Sequence, residues 1–259
     1  MGIPILILGN SGAGKSTSMR NFEENEIMIF NVAGKPLPFR KKFKKIDTPE
    51  YNEITSELDK EEYSVYVIDD SQYLMAFGMF AKAKETGYGK FTDIALDFYN
   101  LLKYIIQKTP PHVIVYFLHH TEHDDSGKIK AKTSGKMLDN QLTLEGLFSI
   151  VLLAEVNDGK YHFKTQSDGY NPCKSPMEMF SLVIDNDLKS VDQIIREYWE
   201  IEPRLNTEQQ LTLFETVGKD RQIFIDLMRE FGYTNNRLIL AKDYEKMFSR
   251  AKELVKNTA

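Results

Sequence analysis

The sequence predicts an α/β protein with a mainly parallel central sheet and a small helical module at its C-terminal end. Apolar runs at residues 3–8, 27–32, 65–69, 113–118 and 150–156 alternate with helical stretches. Several are apolar almost throughout, as strands buried on both faces are. Strands alternating with helices build βαβ units, and hence a parallel sheet. After Glu202-Pro203-Arg204 only helical signals follow, so the chain divides into residues 1–202 and a module of residues 203–259.

The first run, Ile3-Pro4-Ile5-Leu6-Ile7-Leu8, leads directly into Gly9-Asn10-Ser11-Gly12-Ala13-Gly14-Lys15-Ser16, which spells G-x-x-x-x-G-K-S between a strand and a helical stretch. Glycines let this backbone curl so that successive N–H groups face phosphate oxygens, and a following helix N-terminus adds partial positive charge. Lys15 reaches the outer phosphates, and Ser16 offers a hydroxyl to the Mg²⁺ that bridges them. Thr17 and Ser18 read as first-turn residues, with Thr17 counted at the rim of the nucleotide site.

The run at 65–69 ends in Asp69-Asp70. Asp69 is expected to hold a water on the Mg²⁺. Asp70 either orients the attacking water or caps the helix that begins near Gln72. Residues 91–108 form the clearest helix, with Ile94, Leu96, Phe98, Leu101, Leu102, Ile105 and Ile106 on a broad apolar face and Pro110-Pro111 as its stop. The fourth strand ends in Leu118-His119-His120-Thr121-Glu122, so polar groups emerge at the carboxyl edge of the sheet, where open α/β folds bind ligands. Residues 160–165 alternate after the turn signal Asp158-Gly159 and predict an antiparallel edge strand.

In the module, Thr207-Glu208-Gln209-Gln210 fits a capping box, Gly232 fits a helix end, and residues 241–256 predict a further helix. Leu211, Phe214, Phe224, Leu227 and Phe231 call for burial, which argues against a disordered tail.

A chain of 259 residues with a net charge of −5 must make any nucleic-acid contact through local basic patches. Lys35, Arg40, Lys41, Lys42, Lys44 and Lys45 form one, and Lys128, Lys130, Lys132 and Lys136 another. Either is a solvated face or an anion contact. The polar stretches 82–90 and 123–142 are too polar for core elements. Lys84, Lys90 and Tyr88 in the first, with the four lysines of the second, offer the cation and aromatic combination that single-strand binders use. Tyr88 is otherwise a packed surface aromatic. His119 and His123 near Asp124 and Asp125 lack the further ligands that a metal set needs. Cys173 stands alone, which excludes an internal disulfide and fits a reducing compartment. With no apolar run of membrane length and no secretory signal after Met1, a cytoplasmic protein without membrane contact is expected.

The order of these parts resembles a RecA-like P-loop NTPase core, and more narrowly the phage-encoded RecA-like ATPases associated with single-strand annealing and recombination. Besides the phosphate loop, the likeness rests on Gly34-Lys35-Pro36-Leu37-Pro38-Phe39, His120-Thr121-Glu122, Gly135-Lys136, Leu144-Glu145-Gly146 and Lys174-Ser175-Pro176, over roughly the first 200 residues. The resemblance implies ATP and Mg²⁺ as cofactors, single-stranded DNA as partner at the two polar stretches, and a homo-oligomer in a bacterial host's cytoplasm. It implies that His120 links the γ-phosphate to the second stretch, and that Lys164 or Lys174 contacts phosphates of a neighbouring subunit. The helical module then suits a single-strand-binding or other recombination protein. One departure matters: the family carries a catalytic Glu after its second strand, whereas Ile29-Phe30-Asn31-Val32-Ala33-Gly34 holds no carboxylate. Slow or absent turnover, a nucleotide-gated binding module, is therefore one alternative. A small P-loop kinase is another, although no Arg lies between Arg40 and Arg196 to build an Arg-rich lid.

Overall fold

The computed structural model describes residues 1–87, 89–134, 143–236 and 239–256. Among them, eight strands form one sheet in the order β10-β9-β8-β1-β5-β4-β2-β3. The strands are β1 Ile3–Leu8, β2 Ile27–Asn31, β3 Lys44–Ile46, β4 Val65–Asp69, β5 Ile114–His119, β8 Ile150–Asn157, β9 Lys160–Lys164 and β10 Val183–Asp185. From β8 to β3 every pairing is parallel, and β9 and β10 add two antiparallel pairings at one edge. β9 is thus not the edge strand that its alternation predicts, because β10 covers it. β6 Thr121–His123 and β7 Ile129–Ala131 form a separate antiparallel ribbon.

Alternation along β1 shows how the layers form. Leu6 and Leu8 point into the core under helices α1 Tyr51–Leu58, α2 Gln72–Ala81 and α3 Gly89–Lys108. Ile5 and Ile7 point to the opposite core, closed by α4 Leu188–Tyr198 through Leu188, Val191 and Ile195. α4 starts at Asp187, whose carboxylate accepts from the Lys189 and Ser190 N–H groups. Arg196 fixes its far end, donating to Asp192 at 2.6 Å and to the carbonyls of His112 and Ser64.

Three local predictions shift. The stretch after the phosphate loop is a six-residue 3₁₀ turn, Ser16–Asn21, and not an α-helix. Short hydroxyl and amide side chains here compete for backbone groups, and Ser18 Oγ donates to the Lys15 carbonyl at 2.6 Å. In the module, α5 Thr207–Thr216 is capped one residue earlier than expected: Asn206 accepts from Gln209 N while Gln209 accepts from Asn206 N. Two leucines expected inside are exposed, Leu96 on α3, where Ile94, Ala95 and Phe98 take the buried face, and Leu211 on α5, where Leu213 is fully buried beside Leu227. α6 Arg221–Glu230 ends near Gly232 at φ +82°, and a 3₁₀ turn at Ala241–Asp243 leads into α7 Tyr244–Lys256. These helices enclose a hydrophobic cluster of their own with Leu205, Val217, Phe224, Ile239 and Met247. Among the described residues, no helix is long and apolar enough to cross a membrane.

Candidate nucleotide site at the carboxyl edge

Parallel pairing brings the carboxyl ends of β1, β5 and β4 side by side, with β5 between the other two. The phosphate loop leaves β1 at Gly9, whose N–H donates to the His119 carbonyl at 3.1 Å. Gly12 and Gly14 adopt φ +80° and +91°, which side chains rarely tolerate. At Gly14 a Cβ would also meet the Tyr161 ring at 2.6 Å, so the ring packs directly against this glycine.

Lys15 is buried and donates to the carbonyls of Gly9 and Asn10 at 2.7 and 3.0 Å. Burial lowers its ammonium to about 8, against the pull of Asp70 and Asp69. Ser16 Oγ donates to Asp69 Oδ1 at 2.8 Å, so hydroxyl and carboxylate converge on one point as a Mg²⁺ donor pair would. Burial raises Asp69 to about 6, with the Ser16 hydrogen bond opposing. Thr17 and Ser11 line the same cleft, together with Asn31, Lys35, Pro36, Pro38, Asp70, His120 and Tyr161.

Asp70 is not the helix cap. The residue before α2 is Ser71, and the Asp70 side chain points to Lys35 Nζ at 2.8 Å and His120 Nε2 at 3.2 Å. Its backbone sits at φ +60°, a strained position for a residue with a Cβ. Burial disfavours its charge, but the His120 and Lys35 hydrogen bonds outweigh that and hold the carboxyl at about 2. Lys35 also lies over the Tyr73 ring, 5.0 Å from its centre. Neither the ion pair nor the aromatic contact follows from spacing alone; a lysine between Gly34 and Pro36 was the only signal in the sequence.

At the end of β2, next to Asp69 in register, stands Asn31. Its amide donates to the Lys35 carbonyl at 2.8 Å and to Asp47 Oδ1 at 2.6 Å, so a carboxylate does lie close to this position, carried by the segment after β3.

The ribbon revises the expectation for residues 123–142. Ala131 is fully buried and Ile129 packs on the core, so part of this polar stretch is an ordered hairpin. Its base is tied to the cleft. His119, wholly buried, has Nε2 2.7 Å from the Lys132 carbonyl and Nδ1 2.8 Å from the Ser71 hydroxyl. Since a carbonyl only accepts, Nε2 carries the proton and Nδ1 accepts. Burial pushes His119 down to about 4. Thr121 Oγ1 donates to Asn10 Oδ1 of the phosphate loop at 2.6 Å. Asp124 closes the ribbon's turn by accepting from Ser126 and Lys128. His119 and Asp124 are thus each held by protein groups.

Lys128 and Lys132 are exposed on the ribbon, while Lys130 pairs with Glu122 across it at 3.1 Å. Lys84 is exposed after α2, and Lys90 donates to the Glu85 carbonyl in the first turn of α3. Tyr88 and Lys136 lie outside the described residues. Lys164 faces the opposite flank of the phosphate loop, beside residues 10–13, and is paired with Glu155 at 3.3 Å and Asp168 at 3.2 Å. Lys174 is half-buried and bridges to Val151 through its backbone.

No protein-family model matches the chain, and a comparison with curated proteins finds no match.

Proposed function

We propose that this chain binds ATP with Mg²⁺ as a RecA-like ATPase and couples turnover to single-stranded DNA, promoting strand pairing or annealing in phage recombination. The observation that carries the reading is the convergence of Lys15, Ser16 and Asp69 under a loop whose Gly12 and Gly14 take the positive φ of a tight phosphate-cradling turn. Ser16 and Asp69 would hold Mg²⁺, which would neutralise phosphate charge and orient the outer phosphates. Asp70, kept ionised beside His120, is positioned to orient a water. His120 leaves β5 between the phosphate loop and Asp70, and the adjoining ribbon carries Lys128, Lys130 and Lys132, so a contact at either end bears on the other. Lys84, Lys90, Tyr88 and Lys136 complete the proposed DNA surface. Oligomer contacts through Lys164 or Lys174, and a recombination partner at the helical module, belong to the same reading.

The test is Mg²⁺-dependent ATP hydrolysis together with single-strand binding at low salt, where phosphate contacts are strongest. Lys15→Ala is expected to abolish the first. Absence of single-strand affinity with ATP present would sink the DNA assignment.

A second reading, a nucleotide-gated binding module without significant turnover, is favoured by Asn31, an amide where the resemblance implies a catalytic Glu. Multiple-turnover hydrolysis abolished by Lys15→Ala would decide against it.

A further inference from the structure

The cleft has an aromatic wall that phosphate binding does not use. Tyr161 and Phe163 share a face of β9, but only Phe163 is buried. Tyr161 pairs with Val156 nearer the tip of the β8–β9 hairpin, beyond the core, and is 46% exposed. The two-residue turn Asp158-Gly159, at φ +50° and +74°, fixes that hairpin. The Tyr161 ring lies against Gly14 and lines the cleft together with Pro36 and Pro38. Beside the same face of Gly14 sits Asn186, 1% exposed. Neither atom of its amide has a hydrogen-bond partner among the described residues. Buried amides are nearly always satisfied, so an orphaned one beside Gly14, which itself lines the cleft, points to a ligand that completes it.

We infer that Tyr161 and Asn186 form the base end of the nucleotide site, Tyr161 stacking on the nucleobase and the Asn186 amide pairing with a polar edge of the base or ribose once the ring moves off Gly14. The ligand is then a nucleoside triphosphate gripped at both ends, and not a bare polyphosphate. This rests on the reading of the cleft as a nucleotide site.

Equilibrium binding of Mg²⁺-ATP and of inorganic tripolyphosphate to the full chain separates the two ideas. The unaltered protein is expected to bind ATP about tenfold or more tighter than tripolyphosphate, since a stacked base contributes on that order. Tyr161→Ala is expected to remove most of that preference while leaving tripolyphosphate affinity within about twofold, and Tyr161→Phe to keep it. Asn186→Ala should give a smaller loss, again confined to ATP. Equal affinity of the unaltered protein for both ligands, or equal losses of both in Tyr161→Ala, overturns the base subsite while the phosphate cradle stands. Failure of the unaltered protein to bind either ligand overturns the nucleotide reading and the subsite with it.

Discussion

The cleft and the ribbon both carry charge, but they hold it differently. Lys15 and Asp69 are buried and Asp70 is partly buried, and each has fixed partners. On the ribbon, Lys128 and Lys132 lie in solvent, and the Lys130–Glu122 pair is half-exposed. A buried, pre-paired charge is worth more per contact and is intolerant of change, as chemistry at one atom demands. Exposed lysines contribute little to stability and are screened by salt, which suits contact with a repetitive polyanion. His119 joins the two regions, as its two ring nitrogens meet Ser71 beside the cleft and Lys132 at the ribbon's base.

The comparison breaks most sharply at Lys15. Lys15→Ala should remove a charge-assisted phosphate contact of about 1.5–3 kcal/mol, weakening ATP binding roughly tenfold to a hundredfold and ending turnover. Unchanged affinity in a titration would refute the cradle role. His119 comes next. Its folded-state value of about 4 lies below the ordinary 6.5, so the unfolded chain binds the extra proton as pH falls between them. Stability is therefore fully present above about 6.5 and is lost as pH drops toward 4, by up to about 3 kcal/mol from this residue. Urea melts from pH 7 to 4 should show a shallower fall in His119→Gln than in the unaltered chain; parallel curves would mean that His119 does not titrate in this way.

Asp70→Asn keeps the shape but removes the charge between Lys35 and His120. If Asp70 orients water, kcat should fall about a hundredfold while ATP affinity holds within about twofold. A fall in affinity without a fall in kcat would make Asp70 a scaffold for Lys35. The smallest effect belongs to the ribbon. Replacing Lys128, Lys130 and Lys132 together by Ala should leave ATP affinity nearly intact and flatten the salt dependence of single-strand binding by about 2 in log–log slope. An unchanged slope would return these lysines to the status of a solvated face.

Much of this was legible in the residues, unevenly. The bounds of β1 and β4 follow from their apolar runs, and α3 from its face and its proline stop. β3 and β10 were not legible, because three residues carry too little periodicity to mark a strand. α4 had its signals, an Asp187 cap with Leu188, Val191 and Ile195 at helical spacing, but they fall in a polar stretch. The conformation of the loop after β1 was legible because local backbone geometry dictates its glycines. The surroundings of Asp70 were not legible, because Asp suits a helix cap and a polar cleft equally, and only the fold brings Lys35 and His120 to it. Tyr161 was hidden for the same reason, since the cleft it lines joins loops far apart in sequence.

The most direct measurement is steady-state ATP hydrolysis without DNA, with single-stranded DNA and with duplex DNA, using Lys15→Ala as the blank and the triple-lysine ribbon variant alongside. Stimulation by single strands alone, lost in the ribbon variant, is the predicted result and would join ribbon to cleft. Turnover that responds equally to all three conditions would contradict the coupling and shift the account toward another phosphoryl acceptor.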